Sequence, residues 1–298
     1  MKNFTVSVIV PNFNGEGLLE KNLPFLIDAM KNPENNIIET VVVDDGSRDG
    51  SVKLITSTFP QVKLIKHRTN RGFSASVNTG VRAAKGDLMC LLNSDVVPEN
   101  NFLESALPHF QNPKIFAVSL NEAGNFSWAR GSFTDGFIGH TNGSKTLTPH
   151  DTFWVSGGSG VFRRSIWMKL GGMDEKLLSP FYWEDVDLCY RALKRGYGLI
   201  WEPNAKVEHK HEATINNFPK KYVQRILERN QLLFIWKNIT STNLLRKHVA
   251  GLLKRLAKHP GYIRIVFMAI TRVGVVIKAR KKELKEARIS DETIFSRF

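Results

Sequence analysis

Short apolar runs alternate with amphipathic stretches through the first 120 residues of the chain. Each run is rich in Val, Ile and Leu at successive positions, which is typical of strands buried on both faces of a parallel sheet. Because strand and helix patterns alternate, we expect right-handed βαβ units and a mostly parallel sheet flanked by helices, the α/β class. The predicted strands are Thr5–Val10, Ile37–Val43, Val62–Ile65, Leu88–Leu92 and Ile115–Leu120, and the predicted helices lie near 17–30, 50–58, 74–85 and 99–111.

The pattern changes in the second half of the chain. Residues 121–160 are rich in Gly, Ser, Thr, Asn and aromatic residues, which predicts loops and short strands. A strand, a short helix and a Gly-rich loop follow, and then a helix over about 183–195 and a further strand. From residue 216 onward the pattern is helical, so we expect a helical C-terminal extension.

Composition narrows the cellular setting. Cys90 and Cys189 lie in apolar contexts, so they indicate neither a disulfide framework nor a Cys-based zinc site, and a reducing compartment fits best. The N-terminal apolar run predicts a strand rather than a signal peptide. No window reaches the roughly 18 uninterrupted apolar residues that a membrane-spanning helix needs. We therefore expect a cytoplasmic protein.

The excess positive charge is concentrated near the C-terminus. Of a formal net charge of +14, most belongs to residues 246–288, which hold thirteen Lys or Arg against Glu283 and Glu286. These basic residues follow a helical pattern and do not alternate with stacking aromatics, and we find no nucleic-acid-binding motif. We therefore expect no nucleic-acid partner.

The segment 244–258 has the pattern of a basic amphipathic helix. Such a helix suits an anionic membrane surface, so residues 244–288 predict peripheral attachment to the inner face of the plasma membrane. Two alternatives stay open: the apolar stripe packs on the rest of the chain, or it pairs with a second copy in a homodimer. The stripe consists of Leu245, Val249, Leu252, Leu253 and Leu256.

Ligands of parallel α/β sheets bind beyond the carboxyl ends of the strands. Polar, Gly-rich and acidic residues gather there, because the predicted strands run into PNFNGEG, DDGSRDG, HRTNRGF and NSD. In the second motif Asp45 suits a turn cap. Asp44, the last strand residue, can accept hydrogen bonds from a base or ribose, although a turn role is the alternative for it as well.

A carboxylate and a histidine follow two other predicted strands. Asp95 of the NSD motif can ligate Mg²⁺ or Mn²⁺ on a diphosphate, because hard cations take oxygen ligands; a simple turn is the alternative. In KVEHKH, a period of two places Val207, His209 and His211 on one face of an extended segment. Either histidine can supply a nitrogen ligand to the same metal, although a lone strand histidine is more often structural.

The segment FYWEDVDLCYRAL places Glu184, Asp185 and Asp187 in the first turn of a predicted helix. Acidic residues there are expected from the helix dipole, and for Asp187 this is a strong alternative to a catalytic role. The aromatic residues directly before them suit a platform for a sugar ring. The dipole should keep such a carboxylate ionised, which is the state that a general base requires.

Together and in this order, these motifs resemble glycosyltransferase family 2, and the last of them resembles its rhamnosyltransferase-like branch, which builds bacterial surface polysaccharides. The resemblance covers about 5–235, and it implies a GT-A type nucleotide-diphospho-sugar transferase fold with inverting transfer. The matching segments are VSVIVPNFNGEG, VVVDDGSRDGS, NRGFSASVNTG, LLNSD, VSGGSGVFRRSIWMKLGGMDE, YWEDVDLCYRALKRGY and VEHKH.

The resemblance also implies roles for individual residues. Asp185 matches the catalytic base, with Glu184 beside it. A divalent cation, Mn²⁺ or Mg²⁺, would be held by Asp95 and His209, with His211 as the fallback. Asn93 stands where the family's Asp-x-Asp motif normally begins, so one carboxylate remains. The implied donor-binding residues are Pro11, Asn12, Phe13, Asp44, Arg71, Asn78, Asn93 and Asp95, and the implied acceptor-binding residues are Trp183, Gly157 and Gly158.

The resemblance further implies a catalytic domain over 1–238, with a nucleotide-sugar half at 1–120 and an acceptor half at 121–238, and a basic helical extension over 239–298. The expected partners are a UDP- or dTDP-linked sugar donor and a glycan or lipid-linked acceptor. One alternative is a catalytically inactive relative that only binds glycans or nucleotide sugars, which Asn93 favours. A sugar nucleotidyltransferase is disfavoured, because no basic residue follows the first strand until Lys21.

Overall fold

The apolar runs of the sequence form one nine-stranded mixed sheet. The computed structural model describes residues 2–122, 127–209 and 218–298. The strands lie in the order β3-β2-β1-β4-β10-β6-β11-β5, with β9 paired to β11, while β7 and β8 form a separate hairpin. The strands are β1 Val6–Asn12, β2 Ile37–Asp44, β3 Lys63–Lys66, β4 Leu88–Leu92, β5 Val96–Pro98, β6 Ile115–Glu122, β7 Ser127–Thr134, β8 Phe137–Lys145, β9 His150–Asp151, β10 Ser159–Arg163 and β11 Gly198–His209.

Most of the sheet runs in one direction, as the strand–helix alternation predicts. Strands β3, β2, β1 and β4 are mutually parallel. Strand β10 is antiparallel to both β4 and β6, which gives β6 the direction of β4, and β11 is parallel to β6. Only β5, β9 and β10 oppose this direction within the described sheet. The carboxyl ends of six strands therefore lie at one edge.

The continuous apolar runs arise because both faces of the sheet are covered. Val8 and Val10 of β1 belong to one buried cluster, together with apolar residues of α1, while Ile9 between them belongs to the other. In β4, Leu88 and Leu92 likewise face the first cluster, with the intervening odd positions facing the second. A strand between two cores has no polar face, which explains why its sequence does not alternate.

The helices confirm the sequence pattern except at one place. Residues predicted as helical near 99–111 form turns and then a 3₁₀ helix over Leu107–Gln111. Pro108 lies inside this segment, and an α-helix cannot use its missing N–H group. The helices are α1 Glu16–Lys31, α2 Ser51–Thr58, α3 Phe73–Ala83, α4 Arg164–Leu170, α5 Glu184–Lys194, α6 Lys220–Asn238, α7 Thr242–Lys258, α8 Ile263–Ile270, α9 Val273–Glu286 and α10 Asp291–Phe295.

The C-terminal helices pack on α5 of the preceding part of the chain. Buried Asp291 accepts hydrogen bonds from Tyr190 (2.6 Å) and Lys194 (2.7 Å), which both belong to α5. Directly after α5, Arg195 forms ion pairs with Glu283 (2.7 Å) and Glu286 (2.5 Å) of α9. The extension is thus bound to α5 by several partly or fully buried charges.

The apolar stripe of α7 divides between two environments. Leu245, Leu252 and Leu256 pack against the core, as the packing alternative predicts. Val249 and Leu253 remain 57% and 63% exposed. Most of the apolar stripe of α7 is therefore used in packing on the core, and only Val249 and Leu253 of it are available to another surface.

Candidate active site

The end of β1 and the end of β2 lie side by side at the carboxyl edge of the sheet, with Asn12 opposite Asp44. Asp44 is 2% exposed and accepts hydrogen bonds from Asn12 Nδ2 (3.1 Å) and the Ser47 backbone N–H (3.0 Å). Its carboxylate therefore shapes the turn at the position predicted for the donor. Pro11 and Phe13 flank this turn and are half-buried, so both can still form a wall for a nucleotide.

Asp45, which the sequence assigned to a cap, organises a loop that is distant in sequence. Its carboxylate accepts hydrogen bonds from the backbone N–H groups of Arg71 (2.9 Å) and Gly72 (2.7 Å), and it lies 2.6 Å from His67 Nδ1. Arg71 is thereby brought to the carboxyl edge. Its guanidinium lies 3.2 Å from Glu175 and is about half exposed, so it remains accessible to a donor phosphate.

Asn78 differs from its predicted role. The side chain is buried, and its Nδ2 donates to the Met173 carbonyl and to Glu175, both at 2.9 Å. Its Oδ1 accepts hydrogen bonds from the Trp167 indole (3.3 Å) and the Met173 N–H (3.0 Å). Because these contacts use the amide's donors and both acceptor sites, Asn78 anchors the 171–175 loop and has no polar group left for the donor.

Asp95 and His209 lie together, as the metal hypothesis requires. Asp95 is buried in the tight turn after β4, where the Val96 N–H donates to the Asn93 carbonyl (3.0 Å). Asp95 can therefore belong to a turn and still be available as a metal ligand. His209 Nε2, at the end of β11, lies 3.3 Å from Asp95 Oδ1. His211 lies outside the described residues.

Glu122, which the sequence interpretation missed, completes this arrangement. Its Oε1 lies 3.0 Å from His209 Nδ1 and accepts a hydrogen bond from the Ser159 hydroxyl (2.7 Å). Glu122 is the last residue of β6, so the rule about carboxyl strand ends would have found it if applied to the fifth strand. It orients the imidazole so that Nε2 faces Asp95.

The charge at His209 fits a cation. Burial alone would lower the pKa of His209, but the Asp95 and Glu122 carboxylates raise it to about 9. The two carboxylates therefore favour a positive charge at this point, and a divalent metal can take the place of the imidazole proton. Among the described residues no group of three or more His, Cys, Asp or Glu side chains is arranged to hold a metal. Within the described part of the chain, Asp95 and His209 would be the protein ligands, and phosphate oxygens could supply further ones.

The predicted base lies at the N-terminus of α5. Tyr182 and Trp183, directly before the helix, have φ angles of 70° and 75°, a left-handed backbone that is strained for residues other than glycine. Asn230 of α6 stabilises this entry, because its Nδ2 lies 2.9 Å from the carbonyl oxygens of both Phe181 and Tyr182. The strained turn fixes where Asp185 begins the helix.

A glycine loop connects this base to the metal turn. Asp185 Oδ2 accepts a hydrogen bond from the Gly157 N–H (3.3 Å), and the Gly158 carbonyl accepts one from the Asn93 N–H (2.9 Å). A Cβ at Gly158 would lie 2.4 Å from Asn93 Nδ2, so no larger residue fits without displacing Asn93. The predicted base and the NSD turn, which carries Asp95, are therefore joined through two adjacent glycines.

The helix-dipole argument predicted that Glu184 and Asp185 are both ionised, but their pKa values are raised. Burial, together with the charge of Asp185, raises the pKa of Glu184 to about 8, and burial also raises the pKa of Asp185. Hydrogen bonds from the Val186 and Gly157 N–H groups lower the pKa of Asp185 without cancelling this effect. Burial thus outweighs the dipole, and a proton is retained more readily on Glu184, beside the carboxylate of Asp185.

Trp183 differs from the predicted sugar platform. Its ring is 8% exposed and packs against Phe234, with a centroid distance of 5.3 Å. Tyr182, which precedes it, is half-buried and so presents more of its ring to solvent. Of the aromatic residues that the sequence interpretation grouped as a platform, Tyr182 therefore presents more surface next to the acids than Trp183.

Comparisons with known proteins agree with this geometry. A family model described as glycosyl transferase family 2 matches residues 7–170. A pre-mycofactocin glycosyltransferase of Mycobacterium tuberculosis is 30% identical over 72% of this chain and 44% of its own length. An O-antigen chain rhamnosyltransferase of Salmonella anatum is 26% identical over 76% of this chain and 71% of its own length.

A solved structure shares the fold. A mannosyltransferase from Pyrobaculum calidifontis, in complex with GDP-Man and Mn²⁺, superposes with a TM-score of 0.58 at 19% identity, over 95% of this chain and 88% of that one. This likeness shows the GT-A fold that the sequence predicted. The chain spans less than half the length of the mycobacterial relative.

Proposed function

The chain belongs to glycosyltransferase family 2, and on that basis we propose that it transfers a sugar, with inversion at the anomeric carbon, from a nucleotide-diphospho-sugar to an acceptor hydroxyl. The observation that carries this proposal is the glycine link at the carboxyl edge of the sheet. It joins Asp185 to the turn that holds Asp95, and Asp95 in turn lies 3.3 Å from His209. A base and a cation-binding centre at one edge suit group transfer from a diphosphate.

In this reaction Asp185 accepts the proton of the acceptor hydroxyl as its oxygen attacks the anomeric carbon. The attack comes from the face opposite the leaving nucleoside diphosphate, so the configuration inverts. Gly157 holds the base through its N–H group, which keeps the attacking oxygen and the anomeric carbon in a fixed geometry and reduces the entropic cost. Arg71, at the same edge, can neutralise charge on the donor phosphates.

A divalent cation, Mn²⁺ or Mg²⁺, fits between Asp95 and His209, because a carboxylate oxygen and an imidazole nitrogen are ligands that these ions accept. Such an ion supplies Lewis-acid stabilisation of the charge on the leaving diphosphate. Glu122 contributes by holding Nδ1 of the histidine, which leaves Nε2 directed at the ion site. The Mn²⁺ in the Pyrobaculum calidifontis mannosyltransferase structure supports this assignment.

We propose a hexosyl or deoxyhexosyl donor that is UDP- or dTDP-linked; the name of the Salmonella relative supports the deoxyhexosyl alternative and an acceptor in bacterial surface polysaccharide synthesis. We place the acceptor, a glycan or a lipid-linked sugar, on the side of Asp185 that carries Tyr182 and the glycine loop. An inactive binding relative is the alternative. The preserved Asp185, whose hydrogen bonds hold it toward the glycine loop, favours an enzyme.

The experiment that tests the proposal is a panel of UDP-, dTDP- and GDP-linked sugars, with and without Mn²⁺. At a concentration about one hundred times the dissociation constant, the matching donor should stabilise the fold by about 2.7 kcal/mol in thermal melting. Incubation with an acceptor extract should then release the nucleoside diphosphate. Donor-dependent stabilisation without any release would identify the inactive relative, and no stabilisation by any donor would refute both.

Replacing Glu122 by alanine should weaken Mn²⁺ binding about tenfold or more, because the imidazole of His209 loses the carboxylate that orients it. The measurement is Mn²⁺ titration followed by electron paramagnetic resonance in the presence of a nucleoside diphosphate, with no turnover involved. Glu122→Gln should recover much of the affinity, since its amide oxygen can still accept the Nδ1–H hydrogen bond.

Ser159→Ala is the matched control for this variant. It removes a second hydrogen bond to the same carboxylate oxygen of Glu122, 2.7 Å long, and leaves His209 in place. We expect at most a small loss of affinity. If Glu122→Ala binds Mn²⁺ as tightly as the wild type, His209 does not act as a ligand oriented by Glu122.

A further inference from the structure

Helices α8 and α9 are apolar on more than one side. Ile265 and Ala269 of α8 and Val276 of α9 are buried against the core. Other sides of the same helices carry large apolar residues that are exposed to solvent. Because their inward sides already satisfy the core, these residues need a different partner. They are Ile263, Phe267, Ile270, Val273, Val275, Ile277 and Leu284, each between 40% and 62% exposed. We call the exposed residues from Ile263 to Arg288 the α8–α9 face.

The same face is mainly cationic. The segment 246–288 holds two carboxylates, and both are paired with Arg195: Glu283 is buried, and the side chain of Glu286 is 39% exposed. Arg280 also turns inward, where it donates to the carbonyl of Ile239 at 2.6 Å. The other basic residues between Ile263 and Arg288 are exposed. They are Arg264, Arg272, Lys278, Lys281, Lys282, Lys285 and Arg288. Cations therefore outnumber carboxylates on the exposed surface of α8, α9 and the residues next to them.

Exposed apolar groups mixed with cations match an anionic lipid surface. Apolar side chains enter the acyl boundary, while Lys and Arg contact the headgroups. A second copy of the chain would bring the same cations together without compensating carboxylates, which opposes self-association. A nucleic acid would match the charge but would leave aliphatic residues such as Ile277 and Leu284 without a function.

We propose that the α8–α9 face docks the protein on a membrane of anionic phospholipid. Among the described residues no single helix is long and apolar enough to span a bilayer. The segments Pro260–Ile270 and Val273–Glu286 reach that composition only together, across a bend of 69°. Two helices bent in this way can lie in the interface with both apolar sides in contact with lipid.

Docking would place the candidate site close to the membrane surface. Arg272, at the bend, donates to the carbonyl of Lys176 (3.2 Å), which directly follows the 171–175 loop that Asn78 anchors. Helix α5, with Asp185 at its start, is bound to α9 through Arg195. The docked helices therefore contact both elements that frame the site, which suits an acceptor presented by the lipid surface.

The test is sedimentation of the full chain with vesicles of phosphatidylcholine alone or with about one third phosphatidylglycerol. We expect strong partitioning to the anionic vesicles only, and less at high salt. Phe267→Ser combined with Ile277→Ser should lower the partition coefficient about tenfold or more. Lys278→Gln with Lys281→Gln and Lys285→Gln should lower it by about fivefold per charge.

Phe25→Ser with Ile38→Ser is the matched control, because these residues are similarly exposed but lie on α1 and β2, which pack in the other core cluster. It should leave partitioning unchanged. The lysine variant alters exposed side chains only, so its vesicle binding still tests the proposal if the apolar variant unfolds at a lower temperature. The proposal is overturned if the wild type does not bind anionic vesicles, or if both α8–α9 variants have the same partition coefficient as the control variant. A dimer seen by light scattering that Phe267→Ser dissociates would assign the face to a second copy.

These outcomes do not depend on glycosyl transfer, since partitioning is measured without donor or acceptor. A chain that binds vesicles but transfers no sugar would refute the proposed reaction and keep the docking surface. A chain that transfers sugar to a soluble acceptor but does not bind vesicles would refute the docking surface and keep the proposed reaction.

Discussion

Asp185→Asn should lower the turnover number about 10³-fold while nucleoside diphosphate binding stays within about twofold of the wild type. Asparagine has nearly the same shape, but it cannot accept a proton from the acceptor hydroxyl. The amide oxygen of the asparagine can keep the hydrogen bond from the Val186 N–H, which is 2.7 Å long in the wild type. The NH₂ group then faces the Gly157 N–H, so that hydrogen bond is lost. The lost contact should cost about 1 kcal/mol of stability. Initial rates with saturating donor measure the turnover number, and calorimetry measures the binding of the nucleoside diphosphate.

Asp187→Asn is the matched control for this loss. It changes a carboxylate two residues away on the same helix, and Asp187 is fully buried among cations rather than directed at the glycine loop. If Asp187→Asn remains folded, its turnover should be much closer to the wild type. Normal turnover of Asp185→Asn, or an equal loss in both variants, would show that Asp185 is not the base.

The strands could be predicted because their cause is local. Burial on both faces of the sheet produces uninterrupted apolar runs, and β1, β2 and β4 begin and end within about two residues of prediction. The antiparallel insertion of β10 between β4 and β6 could not be predicted, because its sequence specifies a strand but no neighbour. The helix expected near 99–111 failed because one proline outweighed the periodicity.

The candidate site followed from one topological rule and from the resemblance. Strand ends converge at one edge, and this brings Asp95 and His209 together although more than one hundred residues separate them. The supporting contacts were not predictable in the same way. Asn78 and Glu122 act through partners about 90 residues away, and no local pattern shows whether a polar side chain faces a ligand or holds a loop.

Asp185 and Asp187 show how environment separates two similar carboxylates. Burial raises the pKa of Asp185, which has backbone N–H groups and no cation as its nearest partners. Burial also acts on Asp187, but the charges of Lys237 and Arg191 outweigh it and lower its pKa to about 2. The alternative that the sequence left open for Asp187 is thus favoured: it is a structural residue, held by an ion-pair network.

Asp187→Asn should therefore destabilise the fold by about 3 kcal/mol, because it leaves Arg191 and Lys237 buried with one compensating charge fewer. Arg191 donates to the carbonyls of Leu170 (2.8 Å) and Gly172 (2.6 Å), so the 171–175 loop should loosen as well. Urea unfolding at neutral pH measures the loss as a lower midpoint at unchanged slope. Asp28→Asn, which alters an exposed ion pair with Lys31, is the control and should change the midpoint little.

The same variant carries a pH signature. The folded pKa of Asp187, about 2, lies below its ordinary value of 3.8, so its contribution is complete above that ordinary value and is lost as pH falls through the folded pKa. The stability difference between wild type and Asp187→Asn should stay constant from neutral pH down to about 5 and shrink below about 4. A difference that instead grows on acidification would contradict an ionised Asp187 in the folded protein, because only a depressed pKa makes the stabilisation acid-sensitive.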